Sequence, residues 1–346
     1  MTTTAPQTLT FPRPTFAKLA PHSYLLAHLN TPSPTRANAR LPTSPRPPHT
    51  HKGSLTHANG SAVIRIGDTT AVCGVRGEVL LAGAVGYSET RLAGGAAPAT
   101  ATTSGTRHKG GMKSTAQELD LLVPNIELAT GCAPEFLPGM PPSKMAQELV
   151  ARVYALLHAS ALVGDECLKI WGPVVDGEEE EDEEGEKEEG SEVKAFWVLY
   201  IDILFISLDG NAFEAAWAAV LGALQDVYLP AARWAEDRQA VVCEDDVSSA
   251  TRLELRGLPV AVGFAVFRAK EGAAKKGEYW VLVDPDMFEE GLCEETVTVL
   301  LDCASGETRL IGVEKVGGAV LGREQMGGLI KQAEKRWVEW RNVLKG

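Results

Sequence analysis

The chain has 346 residues, 45% of them hydrophobic and 23% charged, with a formal net charge of -13. These proportions exclude wholesale disorder, and the absence of an apolar run of about 20 residues excludes an α-helical membrane span. The length accommodates one large or two modest domains.

Six cysteines are scattered without a C-x-x-C pair, which argues against a zinc or redox motif and predicts buried free thiols. Residues 1–14 are rich in Thr and Pro and lack the apolar core of a secretory signal, so a reducing compartment, cytoplasmic or nuclear, is expected.

An N-terminal arm is predicted over residues 1–50. Apolar spacing over 11–29 suits a short helix near 23–29, whereas 31–50 is crowded with proline and basic residues and reads as an extended segment crossing another surface. A first folded half is expected over 51–232. Two β-rich runs, 61–67 and 69–75, flank Gly67-Asp68 and predict a hairpin, with a third strand over 77–85. Residues 92–112 are almost all Gly, Ala, Thr and Ser, too poor in apolar surface to offset ordering entropy, and read as an inserted loop before strand structure resumes over 118–128.

Met145, Leu149, Val153, Leu156 and Leu157 mark one stripe of a helix that Ser143 is placed to cap. A strand is expected at 167–171. The run 176–190 then holds eleven acids against Lys187 and carries about -10 of the net charge, so it reads as a solvated second insertion. Global charge therefore says little about contact between the folded body and nucleic acid.

The apolar run 195–208 reads as a central buried strand ending in the turn Asp209-Gly210-Asn211, followed by a small-residue helix from Phe213 to Val227 that is apolar almost all round. Residues 233–256 are charged and read as an irregular connector. A second half, 257–346, shows four strands (260–267, 279–284, 296–302, 308–315) and an amphipathic C-terminal helix carrying Met326, Leu329, Ile330, Ala333, Trp337 and Trp340. Strands followed by a helix, twice over, imply an α+β protein with duplicated halves.

The stretch Asn59-Gly60-Ser61-Ala62-Val63-Ile64-Arg65-Ile66-Gly67-Asp68-Thr69-Thr70 resembles the opening hairpin of the RNase PH family. Leu122-Val123-Pro124-Asn125-Ile126-Glu127-Leu128, the Pro134 to Pro142 segment, and Tyr200-Ile201-Asp202 through Asn211 resemble the exosome branch of that family, as does the arm with Pro21, Tyr24 and His28-Leu29. Where relatives tend to read Arg-Pro-Asp-Gly-Arg, this chain has Arg36-Ala37-Asn38-Ala39-Arg40. The resemblance covers residues 11–340 apart from the two insertions. It implies the RNase PH fold (ribosomal protein S5 domain 2-like) and a six-member hetero-oligomeric ring with other RNase PH-like subunits. It further implies S1/KH-type cap subunits above the ring, RNA threaded through it for rRNA processing and degradation, and residence in nucleus, nucleolus and cytoplasm.

Phosphorolysis moves a terminal nucleotide onto inorganic phosphate, so a site must clamp anionic oxygens and supply a carboxylate. Active relatives resemble one another in an Asp-Gly-Gly-Thr-Arg-Thr turn and in an aspartate opening a strand of the second half. The matching residues here are Asp209-Gly210-Asn211-Ala212-Phe213-Glu214 and Thr296-Val297-Thr298-Val299-Leu300-Leu301. With Phe213 at the clamp position, Glu214 after it and Thr296 at the acid position, the resemblance implies a subunit without catalytic, cofactor-binding or metal-binding residues, not an enzyme.

Glu290 falls near a second acidic position, but Glu289, Glu290, Glu294 and Glu295 read together as a solvated acidic loop. The seven histidines show no metal-ligand spacing, Gly317-Gly318 and Gly327-Gly328 lack phosphate-loop context, and Arg65, Arg76 and Lys144 read as surface charge that could line an RNA path. The competing readings are an active 3' to 5' phosphorolytic exoribonuclease, alone or through a site shared with a neighbour, and a sequence-tolerant RNA-binding module outside any ring.

Overall fold

The computed structural model describes residues 12–91, 114–139, 141, 143–174, 190–269, 279–318 and 322–345. The expectations for 92–112 and for 176–189 lie outside the described residues.

Two helices open the described chain, α1 (Arg13–Leu19) and α2 (Pro21–Leu29), where the spacing predicted one near 23–29. Pro21 separates them: it has no N–H and disfavours the helical region for the residue before it, and Ala20 stands at φ -138°, ψ 65°. α1 buries no residue, whereas α2 turns Leu25, Leu26 and Leu29 onto Phe267 and Leu282.

β1 (Pro48–Lys52), β2 (Gly60–Ile66) and β3 (Thr69–Leu81) form an antiparallel meander whose second turn, Gly67-Asp68, places Gly67 at φ 59°. No separate third strand occupies 77–85. β3 runs on to Leu81 because the long β7 (Ser191–Ser207) offers it a ladder as far as Leu81 opposite Ala195, and only then does the chain coil into α3 (Ala82–Val85). β4 (Thr90–Arg91) rejoins β7 on the edge that β3 leaves, opposite Ser191 and Glu192, while the parallel β5 (Leu122–Leu128) and β6 (Lys169–Pro173) take the other edge. Helical turns, α4 (Thr115–Glu118) and the 3-10 turn Asp165–Leu168, stand where strand was expected at 118 and 167. β7 is the spine of this seven-stranded sheet, buried through its middle and alternating beyond Ile201, where Asp202, Leu204 and Ile206 face out.

α5 (Lys144–Ser160) is capped as its sequence suggests, with Ser143 Oγ accepting from the Ala146 N–H at 3.1 Å. α6 (Ala212–Gln225) is buried at every position from Ala212 to Leu224, between the first sheet and β12 (Val260–Arg268). Its alanines, with Gly222 and the facing Gly60, let backbones approach: a Cβ on Gly60 would lie 2.6 Å from the Ala223 carbonyl oxygen. The connector is less irregular than its charges suggested. β8 (Tyr228–Leu229) pairs with β11 (Thr251–Arg252), and β9 (Ala232–Ala235) with β10 (Ala240–Cys243).

The second half is the sheet β13-β12-β14-β15, with β13 (Tyr279–Val283), β14 (Glu295–Asp302) and β15 (Arg309–Val316). α7 (Met287–Glu290) follows β13, and α8 (Arg323–Lys345) packs Leu329, Ala333, Trp337 and Trp340 onto the sheet. Trp337 Nε1 donates to the Leu258 carbonyl at 2.7 Å, so its polar edge is satisfied in the core.

The extended part of the arm crosses this chain's own second half. Arg36, fully buried, donates to Glu289 Oε2 at 3.1 Å and to the carbonyls of Asp284 and Val283; Arg46 grips Asp284 through both carboxylate oxygens at 2.9 and 2.7 Å. Burial pushes the Asp284 carboxyl up, but the hydrogen bonds and charge of Arg46 outweigh it and hold the group below the ordinary carboxylate range. Its stabilising share is therefore present at neutral pH and is lost as acid protonates it.

Two outcomes follow from this docking. Asp284→Ala leaves buried guanidiniums uncompensated and should cost about 3–5 kcal/mol in denaturant unfolding. Ala39 holds a left-handed φ of 65° in the turn where Asn38 Oδ1 accepts from the Arg40 N–H, so Ala39→Gly should raise stability by about 1 kcal/mol in the same measurement.

Candidate functional site

β7 ends at Ser207, and the chain turns through Leu208 to Asn211 into α6. Gly210 at φ 73° and Asn211 at φ 54° are consecutive left-handed residues. Gly210 is required twice over, since a Cβ there would lie 2.5 Å from the backbone of Asp286. Thr69 Oγ1 pins the turn, accepting from the Asp209 N–H and donating to the Gly210 carbonyl, each at 2.9 Å. The Asn211 amide donates to Asp284 Oδ1 at 2.7 Å and to Glu214 Oε2 at 2.8 Å, which locks the unusual backbone.

The start of α6 faces a cleft between the two halves. Phe213 and Thr296, from opposite halves, both line it, so the positions singled out by resemblance do converge. The cavity beside them is about 170 Å³ and continues into an open groove of about 470 Å³ between α5 and the β14–β15 pair.

The groove contains an arginine that the sequence pattern does not single out. Arg152, on α5, lays its guanidinium 3.8 Å from the centre of the Phe213 ring, donates from Nε to Glu314 Oε2 at 2.7 Å and from Nη2 to Thr298 Oγ1 at 2.9 Å. This stacked, ion-paired guanidinium has its Nε and Nη2 engaged within the protein. Arg152 sits one residue before Val153, on the flank of the apolar stripe of α5, and that position is the one signal that could have found it.

The charges near α6 also differ from expectation. Glu214 does not present its charge at the cleft: it is buried, pairs with Arg336 Nε at 2.7 Å and accepts from Trp340 Nε1 at 2.9 Å. The carboxylate at the head of the helix is Glu290, whose Oε1 accepts from the Asn211 N–H at 2.7 Å. Burial pushes its carboxyl up to about 7, aided by Asp284 and Asp286 and opposed by the Asn211 N–H and Arg46.

The solvated acidic loop expected at 289–295 is therefore corrected. Glu289 is buried on Arg36 and closes a capping box with Asp286, Glu295 is buried, and only Glu294 is exposed. The arm supplies the cation that makes the burial of Glu289 tolerable, a contact across some 250 residues of sequence.

The remaining candidates stay apart from the cleft. Arg65 and Arg76 are exposed on the face of the first sheet turned away from α6, paired with Asp68 and Glu78, and Lys144 is exposed at the start of α5. Cys73 and Cys132 are buried as expected for free thiols, but Cys167 and Cys243 are exposed. Among the described residues, no three His, Cys, Asp or Glu side chains converge as metal ligands, and no helix is long and apolar enough to cross a membrane.

Comparison with known proteins places this architecture. Residues 44–230 match the model of the 3' exoribonuclease family (RNase PH), domain 1. The exosome complex component rrp43 of Schizosaccharomyces pombe is 30% identical over 312 residues, 90% of each chain. The exosome complex component Rrp42 of Methanopyrus kandleri is 28% identical over 79% of this chain and 77% of its own. The Archaeoglobus fulgidus exosome with RNA bound to the active site contains a chain of the same fold, at a TM-score of 0.60 with 22% identity, covering 93% of this chain and 96% of that one. An archaeal exosome core gives 0.56 with 20% identity over 92% and 96%. With more than half its length under the family model and a relative at 30% identity along nine-tenths of both chains, this chain belongs to the RNase PH, 3' exoribonuclease, family.

Proposed function

We propose that this chain is a non-catalytic subunit of an RNA exosome ring, a protomer that pairs with other RNase PH-like subunits to close a six-member ring. S1/KH-type subunits cap the ring, and RNA is threaded through it toward a separate nuclease. Its place would be the nucleus and nucleolus as well as the cytoplasm, in 3' to 5' RNA processing and degradation. Exosome relatives that align along nearly the whole chain support the assembly half of this reading.

The non-catalytic half is carried by one observation: the guanidinium in the cleft is stacked on Phe213 and tied through Nε and Nη2 to Glu314 and Thr298. A phosphate clamp needs cations whose donors are free to meet oxyanions. Here Glu148, Glu290 and Glu314 line the same cleft as Arg152 and Lys315, so acidic side chains outnumber basic ones where an anion would have to be held. Thr296 has a hydroxyl that neither ionises near neutrality nor donates a proton as a carboxylic acid does.

One observation favours a second reading, a phosphorolytic site shared with a neighbouring subunit. The Glu290 carboxyl, pushed up to about 7, suits a general acid, and it lies on the same cleft as Arg152. Phosphate-dependent release of nucleoside diphosphates from 3'-hydroxyl RNA separates the two. The full chain, alone and assembled with each neighbour, should release none attributable to itself, and Arg152→Ala should leave the assembled activity within about twofold of the parent while lowering the chain's stability by about 1–2 kcal/mol. A loss of phosphorolysis of about 100-fold or more on Arg152→Ala in an otherwise intact assembly would establish the shared site instead.

A further inference from the structure

The joint between the halves holds more negative charge than positive. Asp284, Asp286 and Glu289 on the turn after β13, Asp209 before α6, and Glu214 within it each lie within 4.0 Å of a guanidinium from Arg36, Arg40, Arg46 or Arg336. Among the described residues Glu290 has no such partner. Its bond is to the Asn211 N–H, so the carboxyl that seats the second half on the start of α6 is also the one without an ion pair. The other charged groups bordering its cleft are Glu148 and Arg152 from α5, and Arg152 is already held by Glu314. Glu295, beside Thr296 on β14, is buried and pairs with Arg268.

We propose that Glu290 makes the joint between the halves proton-linked: while its carboxyl is neutral the turn Asp284 to Glu290 stays seated on α6, and ionisation loosens that seat. A neutral carboxyl still accepts from the Asn211 N–H through its carbonyl oxygen, so closure needs no charge. An ionised one is only partly hydrated in this half-buried position and adds repulsion from Asp284 and Asp286, which Arg46 opposes.

The direction is set by the folded carboxyl titrating near 7 against an ordinary 4.5. The stabilising share is complete below the ordinary value and is lost as pH rises through about 7, a span worth roughly 300-fold in the unfolding equilibrium.

The test compares denaturant unfolding of the full wild-type chain, Glu290→Gln and Glu148→Gln between about pH 5 and pH 8. Glu290→Gln should gain on wild type by roughly 50- to 100-fold across that range. Glu148→Gln, which removes an exposed carboxylate of the same cleft, should follow wild type. Hydrogen exchange at the Asn211 amide, corrected for intrinsic rate, should accelerate with pH in wild type and stay flat in Glu290→Gln. Wild type and Glu290→Gln moving in parallel within about threefold, or an Asn211 amide indifferent to pH, would overturn the proposal. So would failure of both Glu290→Gln and Glu290→Met to fold, because a neutral side chain is what the joint is proposed to prefer.

Discussion

A fully buried carboxylate survives only where cations and hydrogen-bond donors surround it, and Asp284 is the point at which the rest of this molecule meets that condition. It accepts from the Arg46 side chain and backbone N–H and from the Asn211 amide, so one side chain ties together the arm, the turn after β13 and the start of α6. Asp284 itself is held at φ 52°, a backbone state worth adopting only because these partners require it. The consequences propagate. Asn211 keeps its left-handed conformation through Asp284 and Glu214, that conformation aims its N–H at Glu290, and the first turn of α6 then sets Phe213 against Arg152.

The shape of the cleft between the halves is thus set by this joint. An anion-binding helix start needs free N–H groups and nearby cations. Here the N–H of Asn211 is occupied by the chain's own Glu290, and the guanidinium from α5 sits over the Phe213 ring. The position of Glu214 just after Phe213 suggested repulsion at the cleft, but its carboxylate points the other way and, with Arg336 and Trp340, fastens α8 to the buried helix. The acidic side chains of the cleft are Glu290, Glu148 and Glu314, contributed by three separate elements. Such an arrangement leaves the packing of α6 between the first sheet and β12 untouched, so the charges of the cleft can vary without cost to the fold.

The elements governed by local pattern were readable in the sequence. The Gly67-Asp68 hairpin, the Ser143 cap, the all-round burial of α6 and the stripe on α8 each depend on neighbours a few residues away. What was not readable depends on distant partners. β3 continues through Gly77 because β7 is seventeen residues long, a fact that no window on β3 contains. Glu289 and Glu295 resembled solvated acids because acidic side chains are rarely buried, and only the arrival of Arg36 from the arm and Arg268 from β12 reverses that expectation. The convergence of Phe213 and Thr296 on one cleft was legible through resemblance, whereas the stacking of Arg152 on Phe213 required knowing which face of α5 meets the start of α6.

The arm poses the question of why buried charge was retained where apolar packing stabilises at least as well. Residues 31–47 contain too few large apolar side chains to find a hydrophobic seat, and a proline-rich extended strand has no periodic face to define its register. Apolar contacts alone would let such a segment slide, since burial is indifferent to direction and to single-residue shifts. Guanidiniums are not indifferent. Arg36, Arg40 and Arg46 each meet the turn after β13 with fixed fork geometry, and a shift by one residue would strand all three away from Asp284 and Glu289. Between α2, seated by its leucines, and β1, seated by its ladder, the charged contacts therefore serve to select one path for the arm across the second half, and that selection holds Asp284, and through it the whole joint, in place.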